Sequence, residues 1–447
     1  MDIVFTHCAG LDVHKKSVTA CRITPDPSGQ QADGIMELKE FGTMTIDLLA
    51  LSDWLAEAGI THVAMESTGE YWKPVLNLLE GTCEVCLVNA AHVKQVPGRK
   101  TDKADARWLA KLRRYGLLKA SFIPPQGQRE LRDLTRYRLK VVQERSREIN
   151  RVQGVLERAN IKLAAVASDI MGGSGRAILA ALIEGRAEPA TMAELARGRM
   201  RSKLALLEQA LTGLVRDHHR RLLALQLAPI DFLDEQIEPL NATIMEYVVE
   251  LSPGDPPGPR GQPAVATDPP GGAAPPTAPM TCARAVILLD PSPGVDQPGA
   301  EQWVAEMGIE MARFGTAACL AAWRGVAPGN DESAGKQRSR QTRHGNRVLP
   351  AGLTQLAHAA ARTKGTSLSA LDQPLAARRG KKRAIVAVAH AMVVSAFHML
   401  SRNEPYQELG PHYCDERRRH HLVDRLARRL QRVGYQVHLE LLPTPTA

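Results

Sequence analysis

The sequence predicts an α/β domain at the N-terminus, followed by a longer and mainly helical part. Residues 1–120 alternate short apolar runs with segments of helical spacing, which is typical of a layered α/β domain. Strand signals vanish after residue 126, while charged residues become more frequent. A stretch rich in proline and glycine, 252–280, then precedes a second helical unit. The chain is therefore expected to combine one α/β domain with all-α regions.

The first domain, residues 1–122, is expected to alternate strands and helices. Its strand-like segments are Ile3–Asp12, Ser17–Thr24, Gly34–Gly42, Thr61–Glu66 and Cys83–Asn89. Its helix-like segments are Ile46–Ala58, Tyr71–Leu79 and Ala104–Tyr115. Strands that alternate with helices predict a sheet covered by helices.

The middle region, residues 123–251, is expected to be helical. Apolar residues from Leu131 to Leu163 fall roughly on one helical face, which predicts a long helix or a helical pair. Ser202–Leu227 and Asp231–Leu251 are two further helical candidates. The apolar stripe favours helix pairing, within or between subunits. Eight Lys/Arg face four Asp/Glu between 129 and 151, which suits either a solvated helix face or a nucleic-acid contact.

Residues 252–280 contain ten prolines and five glycines, so we expect a linker that divides the chain into two working parts. Residues 281–404 are expected to form a second compact unit, and residues 405–447 a basic tail rich in His and Arg. The predicted helices of these parts are Leu320–Arg324, Leu349–Arg362, Ala384–Leu400 and Arg417–Val433.

Composition limits the classes of partner. The 447-residue chain has a net charge of +9, which indicates a nucleic-acid partner before an anionic membrane. No stretch reaches the ~18 apolar residues of a membrane-spanning helix, and the N-terminus lacks the pattern of a signal peptide. Seven dispersed cysteines favour reduced thiols and a cytoplasmic, nucleoid-associated protein. Cys83 and Cys86 have zinc-like spacing, but buried thiols on a strand explain them better.

Four carboxylates suggest chemistry. Asp12 and Glu66 each end an apolar strand, and Asp102 and Asp105 stand at a helix start, three positions apart on one face. Four carboxylates close together repel one another unless cations lie between them. Oxygen ligands favour Mg²⁺ or Mn²⁺ as these cations. Two ions ~4 Å apart would suit phosphodiester cleavage. Helix or turn capping explains any single one of these residues equally well.

Three segments containing these carboxylates resemble the signature blocks of the DEDD insertion-sequence transposases, the bridge-RNA-guided recombinases of mobile elements. They are Gly10–Lys15, Met65–Trp72 and Lys100–Ala106. The second compact unit is similar to the C-terminal domain of that family. The similar segments there are Glu306–Gly308, Arg313–Phe314, Leu320–Pro328, Glu332–Lys336 and Arg343–Arg347. The resemblance covers about residues 1–404.

The resemblance implies an RNase H-like (RuvC-like) N-terminal domain, a helical coiled-coil middle and a small helical C-terminal transposase domain. It implies that Asp12, Glu66, Asp102 and Asp105 hold Mg²⁺ or Mn²⁺, and that Ser333 is the nucleophile that forms a covalent phosphoserine link with DNA. It further implies a guide RNA that pairs with target and donor DNA, and a homo-oligomer, dimer or tetramer.

Two basic clusters suit phosphate neutralisation. The first follows Ser333 and consists of Lys336, Arg338, Arg340, Arg343 and Arg347. The second consists of Arg378, Arg379, Lys381, Lys382 and Arg383. Both are expected to bind nucleic acid through its backbone rather than its base sequence.

This chain departs from the family pattern in three places. The turn at 289–300 is altered, Pro350 stands where the family typically has arginine, and 252–280 is an insertion. Two alternative functions stay open. A junction-resolving nuclease that uses water would need the carboxylates but not Ser333. A non-catalytic DNA- or RNA-binding protein would need only the basic segments.

Overall fold

The computed structural model describes residues 2–28, 34–66, 69–88, 102–185, 188–252, 280–329, 331–333, 336–339, 348–413 and 419–437. For 102–103, 331–333, 336–339, 348–351, 419–422 and 425, it describes the backbone alone. The chain forms two compact units, Met1–Pro124 and Pro125–Ala447. The first contains both a sheet and helices, and the second is mostly helical.

Unit 1 is built on a five-stranded sheet. Its strands are β1 Cys8–Val13, β2 Ser17–Thr24, β3 Ile35–Gly42, β4 His62–Glu66 and β5 Glu84–Val88. Their order across the sheet is β3-β2-β1-β4-β5. The first three strands pair antiparallel, whereas β1, β4 and β5 run parallel.

The first strand begins five residues later than the predicted start at Ile3. The amides of Val4 and Phe5 donate to the carbonyl of Arg114, at 2.9 and 3.0 Å, and not to a neighbouring strand. The apolar residues at the start of the predicted strand thus precede the point where sheet pairing begins. Apolar character alone could not distinguish a segment that bonds to the backbone of a helix from one that pairs with a neighbouring strand.

Helices cover both faces of the sheet. In β1, Ala9, Leu11 and Val13 point into one apolar core, which also contains residues of helices α1 (Thr45–Glu57) and α2 (Trp72–Leu79). Cys8 points to the opposite face, where it packs near Ala106 and Ala110 of α3 (Asp102–Arg114). Because side chains alternate along a strand, Gly10 and Asp12 share the α3 face with Cys8.

Two long helices form the frame of unit 2. They are α4 (Gln126–Arg158) and α9 (Asp217–Glu250). Arg138 contacts Asn241 and Arg145 contacts Asp234, so residues further along α4 meet residues earlier in α9. The two helices therefore run antiparallel.

Short helices pack at both ends of this pair. Near one end lie α5 Leu163–Val166, α6 Gly173–Glu184, α7 Pro189–Ala193, a 3-10 helix Gly198–Lys203 and α8 Leu204–Leu211. We call this end the tip. Near the other end lie α10 Cys282–Leu289, α11 Gln297–Met307, a 3-10 helix Met311–Phe314 and α12 Ala317–Trp323. That end continues with β6 Asp331–Ser333, β7 Lys336–Ser339, α13 Val348–Arg362, α14 Ser367–Arg379 and α15 Lys381–Arg402, and α16 Arg419–Arg432 is nearest the C-terminus.

Each end has its own apolar core. The tip core contains Val152 of α4 and Leu223 of α9, together with residues of the short helices. The C-terminal core contains Leu131 of α4 and Ile244 of α9, together with residues from α10 to α15. In α4, Leu131 and Val152 are 21 positions apart, whereas in α9 Ile230 of the tip core lies 14 positions before Ile244.

The helix boundaries in the middle region differ from those predicted. Ser202–Leu227 and Asp231–Leu251 were expected to be two helices, but α8 ends at Leu211 and a single α9 spans Asp217–Glu250. The chain turns at 212–216, where the amide of Leu214 donates to the carbonyl of Ala159 at 2.8 Å. Pro229 and Pro239 lie inside α9 without ending it.

The insertion 252–280 does not separate two packing units. Helices before and after it share the C-terminal core. The hydroxyl of Ser252 accepts a hydrogen bond from the amide of Ala283 at 2.8 Å, so the two ends of the insertion lie together. Residues 253–279 lie outside the described residues.

Helix α15 is the one described helix that is long and apolar enough to cross a bilayer. Nine of its residues are buried in this fold, and all but Ala384 of them belong to the C-terminal core. Packing inside the protein therefore accounts for its apolar composition.

Candidate active site

Asp12 and Glu66 stand at the carboxyl ends of two neighbouring parallel strands. Leu11 of β1 pairs with Met65 of β4, so the residues that follow them occupy adjacent positions. Glu66 follows Met65 and is half-buried, whereas Asp12 is only 7% exposed. Both lie on the face covered by α3, because Ala64 packs with Leu109 of that helix.

The first turn of α3 lies at the same edge of the sheet. A Cβ atom at Gly10 would lie 2.3 Å from both the Ala106 carbonyl oxygen and the Ala110 nitrogen, so the helix backbone touches the strand. The thiol of Cys8 donates to the Ala110 carbonyl at 3.6 Å. Strand β1 and helix α3 therefore run antiparallel, so the carboxyl end of β1 lies near the N-terminus of α3.

This antiparallel arrangement brings the predicted carboxylates towards one region. Asp105 is half-buried in the first turn of α3, and the backbone of Asp102 begins that helix. The side chain of Asp102 lies outside the described part of the chain. The structure therefore supports a common location for Asp12, Glu66 and the start of α3, and it gives no distance to the fourth carboxylate.

His14 contacts the most deeply buried of these carboxylates. Its Nε2 lies 3.2 Å from Oδ2 of Asp12, and its side chain is 45% exposed. We did not single out His14 from the sequence. The available signal was its position two residues after Asp12 at the end of the same strand, which places both side chains on one face.

The donors at this edge fit a hard divalent cation by type. Carboxylate oxygens are the ligands that Mg²⁺ and Mn²⁺ prefer. Among the side chains that the structure describes, no three His, Cys, Asp or Glu residues are grouped to hold one ion. The group that would complete the set includes Asp102, whose side chain is outside that search.

The cysteines of unit 1 are unsuited to nucleophilic chemistry. Burial raises the pKa of Cys8 and that of Cys21 to about 11, even though nearby arginine or lysine charges oppose the shift. At neutral pH both are thiols, which are poor nucleophiles. Cys83 donates to the carbonyl of Ile60 at 3.3 Å, and burial raises the pKa of both Cys83 and Cys86. All described cysteines are free.

Ser333 lies on a short hairpin in unit 2. It ends β6 and pairs with Lys336, the first residue of β7, so it stands beside the turn that joins the strands. Arg338 lies on β7, and the side chains of this hairpin are not described. Three of the predicted nucleic-acid-binding residues lie wholly outside the described residues: Arg340, Arg343 and Arg347.

The second predicted basic cluster forms an exposed turn between two helices. Arg378 and Arg379 end α14, and Lys381 begins α15, followed by two further exposed cations, Lys382 and Arg383. The turn passes through Gly380, whose φ of +83° suits glycine. Lys381 pairs with Asp372 at 2.6 Å. We call residues 378–383 the basic turn.

One block of the resemblance has a structural role in unit 2. Glu306 is completely buried and accepts two hydrogen bonds from Arg136, at 2.6 and 2.8 Å. Arg132 lies 3.7 Å from the same carboxylate. Burial lowers the pKa of Arg132 and that of Arg324 to about 10, and the Glu306 charge opposes that shift in both.

Pro298 and Pro350, both at sites where the chain departs from the family pattern, are accommodated in first helical turns. Pro298 is the second residue of α11, where its missing amide hydrogen costs little. Pro350 is the third residue of α13, which still extends to Arg362.

Comparison with family models identifies two segments of the chain. Residues 9–161 match a transposase model of the IS110 type that is defined by the DEDD motif. Residues 287–372 match a model described as transposase of the IS116/IS110/IS902 family. No curated protein matches the chain. The first match contains Asp12, Glu66, Asp102 and Asp105, and the second contains Ser333. On these two matches, the chain belongs to the IS110 family of DEDD insertion-sequence transposases.

Proposed function

We propose that this insertion-sequence transposase cuts and rejoins DNA by metal-dependent phosphodiester chemistry, with Ser333 as nucleophile. The observation that carries the proposal is the placement of Asp12 and Glu66 at adjacent strand ends, beside the first turn of the helix that contains Asp102 and Asp105. Catalytic carboxylates at the rigid edge of a sheet can present several oxygens to one phosphate group.

The sheet supports an RNase H-like fold for unit 1. Three antiparallel strands are followed by two strands parallel to the first, in the order β3-β2-β1-β4-β5. This order is compatible with the RuvC-like fold that the family resemblance implies. The paired helices α4 and α9 are compatible with the coiled-coil middle.

We propose that Asp12, Glu66, Asp102 and Asp105 hold Mg²⁺ or Mn²⁺. Bound there, the cations would make a hydroxyl more nucleophilic and stabilise the leaving oxygen. His14 contacts Asp12 and fixes the orientation of its carboxylate. Burial of Asp12 keeps it in a single geometry and limits competition from bulk water.

The serine step is a phosphoryl transfer from a bridging DNA oxygen to the serine hydroxyl oxygen. The Ser333 hydroxyl oxygen attacks a DNA phosphorus atom, and a Ser–O–P bond forms as one bridging P–O bond of the DNA breaks. The serine proton leaves, and the departing DNA oxygen takes up a proton. A serine hydroxyl is weakly nucleophilic by itself, which is why the reaction requires activation.

We further propose that the protein acts with a guide RNA and as a homo-oligomer in the cytoplasm. The support is the family resemblance together with exposed cations on the basic turn, which can bind phosphates without reading sequence. Base pairing by the RNA would then supply target choice.

The proposal is tested by trapping the covalent intermediate. Full-length protein with Mg²⁺, its element RNA and labelled element-end DNA is expected to give a denaturant-resistant protein–DNA adduct. Ser333→Ala should abolish the adduct, whereas Ser339→Ala on the paired strand should retain it. Asp12→Asn should also abolish it, while Asp53→Asn, an exposed carboxylate of α1, should not.

Other outcomes select the alternatives. Cleavage that survives Ser333→Ala but requires Asp12 would indicate a junction-resolving nuclease that uses water. Nucleic-acid binding without any cleavage, unchanged by Asp12→Asn, would indicate a non-catalytic binding protein.

A further inference from the structure

A dense group of exposed cations lies at the tip of unit 2. Between residues 197 and 203 every second residue is basic: Arg197, Arg199, Arg201 and Lys203. No acidic residue lies between them, and all four are exposed. We call these four residues the basic tip.

The backbone of the basic tip is held in place by the rest of the tip. The amide of Arg197 donates to the hydroxyl of Ser174 at 2.8 Å, and the hydroxyl of Ser202 donates to the carbonyl of Arg199 at 2.9 Å. Residues 198–203 form a 3-10 helix that leads directly into α8. A fixed backbone lowers the entropy that is lost when these side chains bind a partner.

Few local groups neutralise these charges. Within the described residues, the side chains of Arg197 and Arg199 form no ion pair. Arg201 lies 3.4 Å from Glu194, but both side chains are about 60% exposed, so this pair is weak. Lys203 donates only to the backbone carbonyl of Val166, at 3.2 Å. The basic tip therefore presents excess positive charge to solvent.

The basic tip belongs to neither family match. The first match ends at residue 161 and the second begins at residue 287, so the tip helices fall between them. The four residues of the basic tip therefore lie outside both segments that contain the candidate catalytic residues.

The helix pair separates the tip from the C-terminal core by a defined length. Leu131 and Val152 of α4 lie in different cores, 21 positions apart. At about 1.5 Å per residue, this spacing corresponds to about 32 Å.

We propose that the basic tip binds the phosphate backbone of duplex DNA. The proposal rests on the assignment of the chain as a DNA transposase, which makes DNA the polyanion that fits this surface. Four cations without intervening acids match a phosphate row, and their alternation with small or apolar residues offers no base readout.

The first experiment measures DNA affinity against salt concentration for full-length protein. The test variant is Arg197→Ala/Arg199→Ala. The matched control is Lys162→Ala/Arg220→Ala, which removes two cations of the same end that are paired with Glu157 and Asp217. Each lost phosphate contact lowers the slope of log affinity against log salt by about 0.9. We expect a slope change of about 1.8 for the test variant, which is about sixty-fold weaker binding at 0.1 M salt.

The second measurement maps backbone protection on a 40-base-pair duplex by hydroxyl-radical footprinting. The test variant should lose protection at base pairs other than those whose protection Arg378→Ala/Arg379→Ala removes, because the basic tip and the basic turn lie near opposite ends of the helix pair. Thermal unfolding of the test variant should match the wild type, because Arg197 and Arg199 are exposed.

Equal salt slopes for the test and control variants would overturn the proposal. So would a loss confined to duplex RNA of the same sequence, which would assign the basic tip to RNA. Adduct formation reports separately on the proposed function, because Ser333→Ala is expected to leave the salt slope of DNA binding unchanged.

Discussion

At the scale of single residues, Glu306 balances the charge of one buried and two half-buried arginines. Its carboxylate binds Arg136 and faces Arg132 and Arg324, and it has no exposed surface. Arginine cannot give up its proton at ordinary pH, so removal of this carboxylate leaves uncompensated positive charge in the interior.

Glu306→Gln is therefore expected to destabilise unit 2 by about 3–5 kcal/mol, the usual effect of breaking a buried ion pair. Urea-induced unfolding of the full chain measures the change. The control is Glu157→Gln, whose partner Lys162 is about half exposed, and it should change stability by less than about 1 kcal/mol. Equal effects of both substitutions would contradict this account.

The thiols provide a pH-dependent prediction. Burial raises the pKa of Cys8, Cys21 and Cys282 to about 11, whereas Cys319 is exposed. At pH 8, iodoacetamide should therefore modify Cys319 long before the other three, as mass spectrometry of peptides would show. Because the folded pKa exceeds the unfolded value near 9, these thiols favour the folded state below pH 9. Their contribution should be lost as the pH rises from 9 through 11.

Alkylation of all these cysteines at similar rates in native protein at pH 8 would contradict the burial argument. Repeating the reaction in denaturant provides the control, since unfolding should equalise the rates.

Residue-level patterns in the sequence located some site residues and missed others. Asp12 and Glu66 could be placed at strand ends because each follows an apolar run. The partners of Glu306 could not be found in this way, because Arg136 lies 170 positions away in the chain. Pairings of that range depend on how helices pack, and a local pattern contains no such information.

At the scale of elements, the contact of α3 with β1 determines where the carboxylates lie. The helix backbone approaches Gly10 so closely that no side chain fits between them. Any atom added there must push α3 away from β1 at Ala106 and Ala110, and so disturb the placement of the helix beside Asp12 and Glu66.

Gly10→Ala is expected to destabilise unit 1 by about 1–3 kcal/mol, near the upper end because the added Cβ meets backbone atoms. DNA-adduct formation should fall more steeply than stability at temperatures where the protein stays folded. Gly81→Ala is the matched control, since nothing lies within 4 Å of a Cβ added at Gly81. Wild-type adduct yield from Gly10→Ala would show that this contact does not position the site.

Strands and helices were predicted correctly where buried residues recur along the sequence with a clear period. They were predicted wrongly where contacts with distant parts of the chain end a helix. Four of the five strands lie within a residue or two of their predicted bounds, and in three of them, β2, β4 and β5, the apolar residues are largely buried. The break at 212–216 depends on the carbonyl of Ala159, which lies more than fifty residues earlier. Helix α14 was not predicted, although Thr366 caps its N-terminus through the amide of Ser369.

At the scale of the whole molecule, the insertion 252–280 has fixed ends. Ser252 and Ala283 are joined by a hydrogen bond, and the adjoining helices already share a core. The fold on either side therefore needs only a short connection.

Replacing residues 254–278 by six Gly/Ser residues is expected to keep unit 2 folded with equal or slightly higher stability. Loop-closure entropy changes slowly with length, so the gain is about 1 kcal/mol. Calorimetry and DNA-adduct formation measure the two consequences. A loss of cooperative unfolding, or a loss of adduct with unchanged stability, would show that the insertion contributes to folding or to function.

The length of the paired helices α4 and α9 could be changed by design. Leu131 and Val152 of α4, which belong to the two cores, are 21 residues or three heptads apart. A heptad added to both helices at matching positions would preserve every facing residue while lengthening the frame by about 10.5 Å. The length of the helix pair thus sets the distance between the two ends of unit 2. Each added heptad should move the DNA footprint of the basic tip outward by about three base pairs.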